Sequence, residues 1–199
     1  GREGIKMKIS RNTLLTLGAL IIFAGFLYVA QNMFNTYILR IINLCAIYSI
    51  FAITFNLIYG YTGQFSLGHA GFAAVGAYVA ALLTMSAQQK EANFFLTPIV
   101  PALATMQWPF LFAIIAAGLL AALVGSLIAW PALRLRGNYL AIASLGFSEI
   151  IRVLLVNMQP VTNGALGLKG IPPYTNLFWS WGCVVITLFV IKRLTNTSY

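Results

Sequence analysis

The chain has 199 residues, of which 60% are hydrophobic and only 8% are charged, and its formal net charge is +9. Soluble domains carry about 25% charged residues, so this composition excludes a water-soluble globular fold and predicts a polytopic membrane protein. The basic residues stand in small groups at the ends of apolar runs, which favours membrane topology over nucleic-acid binding as their explanation.

Six apolar runs predict an all-α bundle of about six transmembrane helices. Open sheets are excluded because lipid offers no partners for edge hydrogen bonds, and no alternating pattern indicates a barrel. A helix needs about 20 residues to cross the hydrocarbon core, so the sixth run is short and is expected to end at Lys192 and Arg193. The predicted spans are residues 13–30, 38–59, 67–85, 109–130, 138–157 and 177–191.

The distribution of basic residues predicts that both termini lie in the cytoplasm. This orientation leaves only Lys90 and Lys169 in outer loops, in agreement with the positive-inside rule. Arg40, near the outer end of the second span, and Arg152, within the fifth, do not overturn the bias. The basic residues placed inside are Arg2, Lys6, Lys8, Arg11, Arg134, Arg136, Lys192 and Arg193.

A glycine-rich polar stretch, GYTGQFSLGHAGFAAVG at residues 60–76, stands at the start of the third span and holds the only histidine, His69. Such a stretch predicts a broken or re-entrant helix, whose freed backbone groups need protein or water as partners. Breaks of this kind tend to line binding or translocation sites. The alternative is that the glycines permit tight helix packing and that His69 is satisfied in the core.

The fourth span carries small residues at every fourth position, which form one smooth helix face. Such faces let helix backbones approach closely in lipid, so they predict a helix–helix interface, with a substrate wall as the alternative. The row consists of Ala117, Ala121, Gly125 and Ala129.

Glu149 and Arg152 place two charges inside the fifth span. Charges within a span are costly and often functional, and their i, i+3 spacing permits a local ion pair. Two interpretations of these residues stay open. They could form an ion pair that only neutralises the two charges, or they could take part in a translocation path.

The residue inventory excludes most catalytic chemistry. The chain has three acidic residues and no aspartate, so paired-carboxylate catalysis has no candidates. One histidine and two distant cysteines do not make a tetrahedral metal site, and no phosphate-binding loop is present. The chain is therefore not expected to be an enzyme or to hold a cofactor, and any nucleotide energy must come from another chain.

Three blocks of the sequence form a recognisable series. The first is NLIYGYTGQFSLGHAGF at residues 56–72. The second is PALRLRGNY at residues 131–139 together with FSEIIR at 147–152, and the third is TNGALGLKGIP at 162–172. In this order, the three blocks resemble the permease subunits of bacterial branched-chain amino-acid ABC importers, and specifically their LivM-type half. In the third block, Asn163 and Ala165 depart from the family pattern.

The resemblance implies a single transmembrane permease domain over residues 1–199, covering about the N-terminal two-thirds of a family member. The family's cytoplasmic coupling segment and last spans would be absent. The expected location is the bacterial inner membrane. The implied partners are a second homologous permease subunit, two cytoplasmic ATPase subunits that bind ATP and magnesium, and an extracytoplasmic solute-binding protein.

The predicted helix break and the resemblance together indicate functional positions. A zwitterionic amino acid could place its carboxylate at a helix N-terminus and its ammonium at unwound carbonyls. The candidates for the translocation path are Asn56, Gly63, Gln64, Ser66, Gly68, His69 and Glu149. The outer-loop candidates are Thr162, Asn163 and Gly164, and the cytoplasmic-loop candidates are Arg134 and Arg136.

Three alternatives to an amino-acid importer subunit stay open at this point. An ABC permease for urea, short amides or another small polar solute would keep the same architecture. An ATP-independent secondary carrier or channel would transport without any ATPase. A membrane scaffold would not transport, and substitutions in its glycine-rich block would affect only assembly.

Overall fold

A computed structural model describes residues 11–64, 66–132, 134–135 and 137–196. These residues form helices, turns and irregular segments, and none of them is in a β-strand. The all-α prediction is therefore confirmed. The helices are α1 (Arg11–Met33), α2 (Thr36–Asn56), α3 (His69–Thr84), α4 (Ala87–Asn93), α5 (Pro101–Ala104), α6 (Phe110–Ala132), α7 (Asn138–Asn157), α8 (Gln159–Thr162) and α9 (Leu177–Asn196).

All six predicted spans coincide with helices. In the described part of the chain, four helical segments are long and apolar enough to cross a membrane, namely Thr36–Tyr61, Phe110–Ala132, Tyr139–Asn157 and Leu177–Asn196. Two further apolar helical segments, Gly18–Met33 and His69–Thr84, are shorter. Helix α3 has 16 residues, or about 24 Å at 1.5 Å per residue, because the irregular segment before it takes up the start of the predicted span.

Helix α9 corrects the prediction for the sixth span. It has 20 residues and continues past Lys192 and Arg193 to Asn196. The two basic residues therefore do not end the helix, since they lie in its last turns, where a cation is favourable near the C-terminal end of the helix dipole.

The chain divides into two compact units. The described residues of the first unit are those from Arg11 to Ala52 and from Thr175 to Asn196, and in it α1 packs against α9. The rings of Phe23 and Trp181 meet edge to face, with centroids 4.9 Å apart. This geometry is one that aromatic pairs prefer.

The second unit, Ile53–Tyr174, is built around α3, which packs against both α6 and α7. A Cβ atom placed on Gly76 would lie 3.7 Å from the Cβ of Ala121, and one on Gly125 would lie 3.9 Å from the ring of Phe72. Ala117 is buried on the same face of α6. The small-residue row of the fourth span therefore forms the predicted helix–helix interface at Ala117, Ala121 and Gly125.

The contact between α3 and α7 is closer still at Gly71. A Cβ atom at this position would lie 3.0 Å from Cδ1 of Ile151 and 3.1 Å from Cα of Ser148. A larger residue at this position would require the neighbouring atoms to move, so glycine permits this close approach of the two backbones. Tight packing thus explains this glycine of the GYTGQFSLGHAGFAAVG stretch.

Between α3 and α6, two short helices were not predicted. A capping box starts α4: the Ser86 amide donates to Gln89 Oε1 at 3.0 Å, and the Gln89 amide donates to Ser86 Oγ at 3.4 Å. The Lys90 side chain is only 1% exposed, and its ammonium donates to the carbonyl oxygens of Leu103, at 2.7 Å, and Met106. Burial lowers the pKa of this ammonium. Lys90 therefore ties α4 to the segment around α5.

Candidate functional site

The helical backbone is interrupted where the glycine-rich stretch begins. Helix α2 runs into a π-helical turn, Leu57–Tyr61, and the described residues between Thr62 and Gly68 are irregular before α3 starts at His69. Gly63 has φ of 64°, a left-handed conformation that glycine adopts without steric cost. The predicted broken segment is therefore confirmed.

Helix α7 holds this broken segment through Ser144. The Leu67 amide donates to the Ser144 hydroxyl at 2.9 Å, and that hydroxyl donates to the carbonyl oxygen of Ala141, also at 2.9 Å. A Cβ atom on Gly68 would lie 3.5 Å from the Ser144 carbonyl oxygen. At least one backbone amide released by the helix break thus finds a protein partner, as a membrane-embedded break requires.

A cavity of ≈ 280 Å³ opens beside the broken segment. The segment provides one wall, α3 contributes Phe72, and α6 and α7 provide the opposite walls. Its described lining comprises polar residues, large apolar residues and small residues. The polar ones are Thr62, Gln64, Ser66 and Ser144; the large apolar ones are Ile58, Phe72, Ile128 and Leu140; the small ones are Gly125, Ala129 and Ala132.

The described lining of this cavity has hydroxyl and amide groups on one part and hydrocarbon on the rest, and none of its residues is charged. Hydroxyls and amides can both donate and accept hydrogen bonds. Ligand sites typically combine mostly apolar walls with a few polar groups that fix orientation. The arrangement can therefore bind a small solute that has both a polar and an apolar end.

Two of the predicted path residues, Gln64 and Ser66, line the cavity. Gly63 makes the left-handed turn beside it, and Gly68 is buried between Phe72 and the backbone of Ser144. Two side chains of the predicted set therefore lie together in the cavity wall. The two glycines of the set shape the backbone that carries them.

Asn56 and His69 are not among the residues lining the cavity. The Asn56 side chain lies against Gly60, where a Cβ atom would come within 2.8 Å of Oδ1. The imidazole of His69 meets the Phe55 ring edge to face, with centroids 5.7 Å apart. Its Nδ1 atom is buried, and no hydrogen-bond partner for it is found among the described residues.

Glu149 lies on α7 away from this cavity. Its Oε2 accepts a hydrogen bond from Arg152 Nε at 2.7 Å, which makes the predicted i, i+3 ion pair. The side chains are 54% and 69% exposed in this chain, respectively. The pair therefore exists, and whether it faces a solute path stays a prediction.

The three outer-loop candidates are buried and bonded internally. The Thr162 hydroxyl donates to carbonyl oxygens near the end of α7, those of Leu155 and, at 2.9 Å, Met158. Asn163 has φ of 61° and donates from Nδ2 to the Gly167 carbonyl at 2.8 Å. Thr162, Asn163 and Gly164 thus stabilise a tight corner of the chain through internal hydrogen bonds.

The cytoplasmic-loop candidates follow α6. Arg134 is exposed, and its amide donates to the Pro131 carbonyl at 3.4 Å in a turn. Arg136 lies outside the residues that the structure describes. A role of this loop in coupling stays a prediction.

Ser144, Phe72 and Leu140 are cavity residues that sequence reasoning missed. Ser144 is one of two serines in an apolar span, and a serine within a helix can bond back to a carbonyl of its own helix. Ser144 lies four residues from both Leu140 and Ser148, so the three residues share one face of α7. This pattern is the sequence signal that could have indicated Ser144. The partner across the break, the Leu67 amide, follows only from the tertiary structure.

Residues 37–192 match the family model described as branched-chain amino acid transport system / permease component. The chain is 39% identical over 135 residues to the high-affinity branched-chain amino acid transport system permease protein LivM of Escherichia coli K12. It is 38% identical over 129 residues to the LivM protein of Salmonella typhimurium LT2.

These alignments include 68% and 65% of this chain but cover only 27% and 26% of the two relatives. No solved structure matches the chain significantly. The family match, which extends over most of the spans and includes every described residue lining the cavity, shows that the chain belongs to the family of branched-chain amino acid transport system permease components.

Proposed function

We propose that this chain is a transmembrane permease subunit of an ABC importer that moves branched-chain and other hydrophobic amino acids across the bacterial inner membrane. The observation that carries the proposal is the cavity beside the broken segment, where Gln64, Ser66 and Ser144 face apolar walls. Family membership supports the transport role. The names of the two relatives support the substrate class.

The lining suits a zwitterion with a hydrocarbon side chain. Carbonyl and amide oxygens of the broken segment would accept hydrogen bonds from the ammonium, and the N-terminal end of α3 would favour the carboxylate. Phe72, Ile128 and Leu140 would enclose the side chain. Because no described lining residue is charged, an ionic side chain on the solute would enter at a high desolvation cost.

The energy would come from partner chains. In this proposal, two cytoplasmic ATPase subunits drive alternating access, a second homologous permease completes the path, and an extracytoplasmic solute-binding protein delivers the amino acid. Both termini would lie in the cytoplasm, which places Arg134 and Arg136 on the ATPase side. The excess of basic residues at that side supports this orientation.

The experiment is leucine uptake by the complete transporter with Gln64→Ala or Ser66→Ala in this subunit. Each change removes one polar group from the cavity. Losing a hydrogen bond to a charged solute group weakens binding by about 1.5–3 kcal/mol, so we expect the apparent KM to rise about tenfold or more. Gln88→Ala is the matched control, because Gln88 is exposed on α4 and lies away from this cavity.

Unchanged uptake by both cavity variants at normal expression would remove the site assignment. Uptake that is inhibited by urea or short amides but not by leucine, isoleucine or valine would replace the substrate class. Transport in proteoliposomes that contain no ATPase would show a secondary carrier or channel instead.

A further inference from the structure

We propose that Ser144 is a positioning residue, whose hydroxyl fixes the broken segment on α7 and thereby sets the places of Gln64 and Ser66 in the cavity. The inference rests on the proposed function for its effect on transport. Its structural part, the attachment of the segment, stands on the hydrogen bonds alone.

The Ser144 hydroxyl is used in both directions. It accepts from the Leu67 amide and donates to the Ala141 carbonyl, each at 2.9 Å, and the residue is 6% exposed. A hydroxyl has a single proton, so its donation to Ala141 leaves the oxygen lone pairs to face Leu67. The orientation of the acceptor is therefore fixed by the helix itself.

The Leu67 amide needs this partner. Leu67 belongs to the irregular stretch before α3, where the amide has no helical carbonyl four residues earlier. A backbone N–H without a partner in apolar surroundings is costly. The bond to Ser144 therefore selects one position of the segment among those that its glycines would otherwise allow.

The position selected here is the one that forms the cavity. Ser66 precedes Leu67 directly, and both Ser66 and Ser144 line the cavity, with Gln64 two residues further back. Gly68 packs on the Ser144 backbone on the other side of the bond. Releasing Leu67 would free the wall of the cavity that carries its polar groups.

The first test measures the segment without measuring transport. Ser66→Cys is introduced after Cys45 and Cys183 have been replaced by alanine, and its reaction rate with a thiol reagent is followed in membranes that contain the complete transporter. Adding Ser144→Ala should change this rate about tenfold, since 1.4 kcal/mol is a factor of ten and a lost buried hydrogen bond costs about that much.

Ser144→Thr keeps the hydroxyl and should leave the rate near that of the parent. Ser126→Ala is the matched control, because Ser126 donates to the Leu123 carbonyl of its own helix at 2.8 Å and is exposed. An equal rate with Ser144 and with Ser144→Ala would overturn the inference. If Ser144→Ala changes the labelling rate and Ser144→Thr changes it by the same amount, the inference would be overturned as well.

The second test uses uptake with Ser66 intact. Ser144→Ala should raise the apparent KM for leucine and alter the ratio of KM values for leucine and valine, whereas a loss of folded protein would lower only the maximal rate. An altered labelling rate in a transporter that takes up no amino acid would leave the positioning role standing and reject the proposed function. Normal labelling with normal amino-acid uptake would do the reverse.

Discussion

The side-chain amide of Asn93 pairs with the backbone of Lys169, 76 residues further along the chain. Its Nδ2 donates to the Lys169 carbonyl at 2.8 Å, and its Oδ1 accepts from the Lys169 amide at 2.7 Å. Both backbone groups of one residue are thus satisfied, as in a hydrogen-bonded pair of an antiparallel sheet. Asn93 also donates to the Gln89 carbonyl at 2.7 Å, so α4 and the loop after α8 are fixed to each other.

Asn93→Ala should destabilise the chain by about 0.5–1.5 kcal/mol for each hydrogen bond lost, because the buried Asn93 side chain no longer bonds the backbone of Lys169. The measurement is the thermal unfolding midpoint of the chain purified in detergent. Asn157→Ala is the control, since Asn157 is exposed and its side chain donates to the Val153 carbonyl of its own helix. Equal losses for the two variants would show that the link to Lys169 contributes nothing.

Lys90→Met should also destabilise the chain, since the carbonyls of Leu103 and Met106 lose their donor. The expected cost is about 1–3 kcal/mol in all, because both hydrogen bonds are only partly buried. Gln88→Met tests the same change at an exposed position of α4 and should have little effect. A Lys90→Met chain as stable as the parent would contradict the assignment of these hydrogen bonds as stabilising.

The stability that depends on Lys90 should vary with pH. Burial lowers the pKa of Lys90 below its ordinary value of 10.5, so between the lowered pKa and 10.5 the unfolded chain binds more protons at this group than the folded chain does. The free energy of unfolding of the parent relative to Lys90→Met should therefore rise with pH across that window. Denaturant unfolding at several alkaline pH values checks this. A relative stability that falls as pH rises would show that the pKa of Lys90 is raised on folding and not lowered.

Gly71→Ala should push α3 away from α7. The added methyl group would meet backbone and side-chain atoms at 3.0 to 3.1 Å, and such overpacking typically costs about 1–3 kcal/mol. Gly118→Ala in α6 is the matched change, because a Cβ atom there has no neighbouring atom of the described residues within 4 Å and alanine favours a helix by about 1 kcal/mol over glycine. Thermal unfolding of both variants should show opposite shifts, and a stabilised Gly71→Ala chain would refute the close approach.

Exchanging the charges of Glu149 and Arg152 should preserve their ion pair. Each single neutralisation, Glu149→Gln or Arg152→Gln, leaves one charge in a membrane-spanning helix, where it costs about 2.5–3.5 kcal/mol near the bilayer centre. We expect both single variants to accumulate less in membranes and the double variant Glu149→Arg with Arg152→Glu to recover most of the loss. Recovery of protein without recovery of uptake would indicate that the carboxylate itself takes part in transport.

The spans and the break could be predicted from the sequence because both follow from local properties. An apolar run of about 20 residues has few structures other than a helix available in lipid, and glycine with polar residues at its start interrupts it. The end of α9 was missed because basic residues at a membrane interface are compatible with continued helix. The capping box of Ser86 and Gln89 was visible in the sequence, but a helix of only 7 residues carries no span signal.

Only the cavity wall formed by the broken segment could be predicted from the sequence. Gln64 and Ser66 belong to a stretch that is unusual in itself, whereas Leu140 and Ile128 are ordinary apolar residues of ordinary spans. Their place beside the break depends on how α3 packs with α6 and α7. Gly125 and Ala129 were predicted as an interface, and they also line the cavity, because the interface ends where the broken segment begins.

The corner formed by Thr162, Asn163 and Gly164 also offers a practical use. The polar side chains of the corner belong to Thr162 and Asn163 and are bonded within it. The neighbouring Ala165 and Leu166 are exposed, and their side chains make none of these hydrogen bonds. A fluorescent dye attached through Ala165→Cys, with the native cysteines replaced, should therefore leave the corner intact. Such a dye would report the approach of another molecule to this side of the protein by a change in its emission.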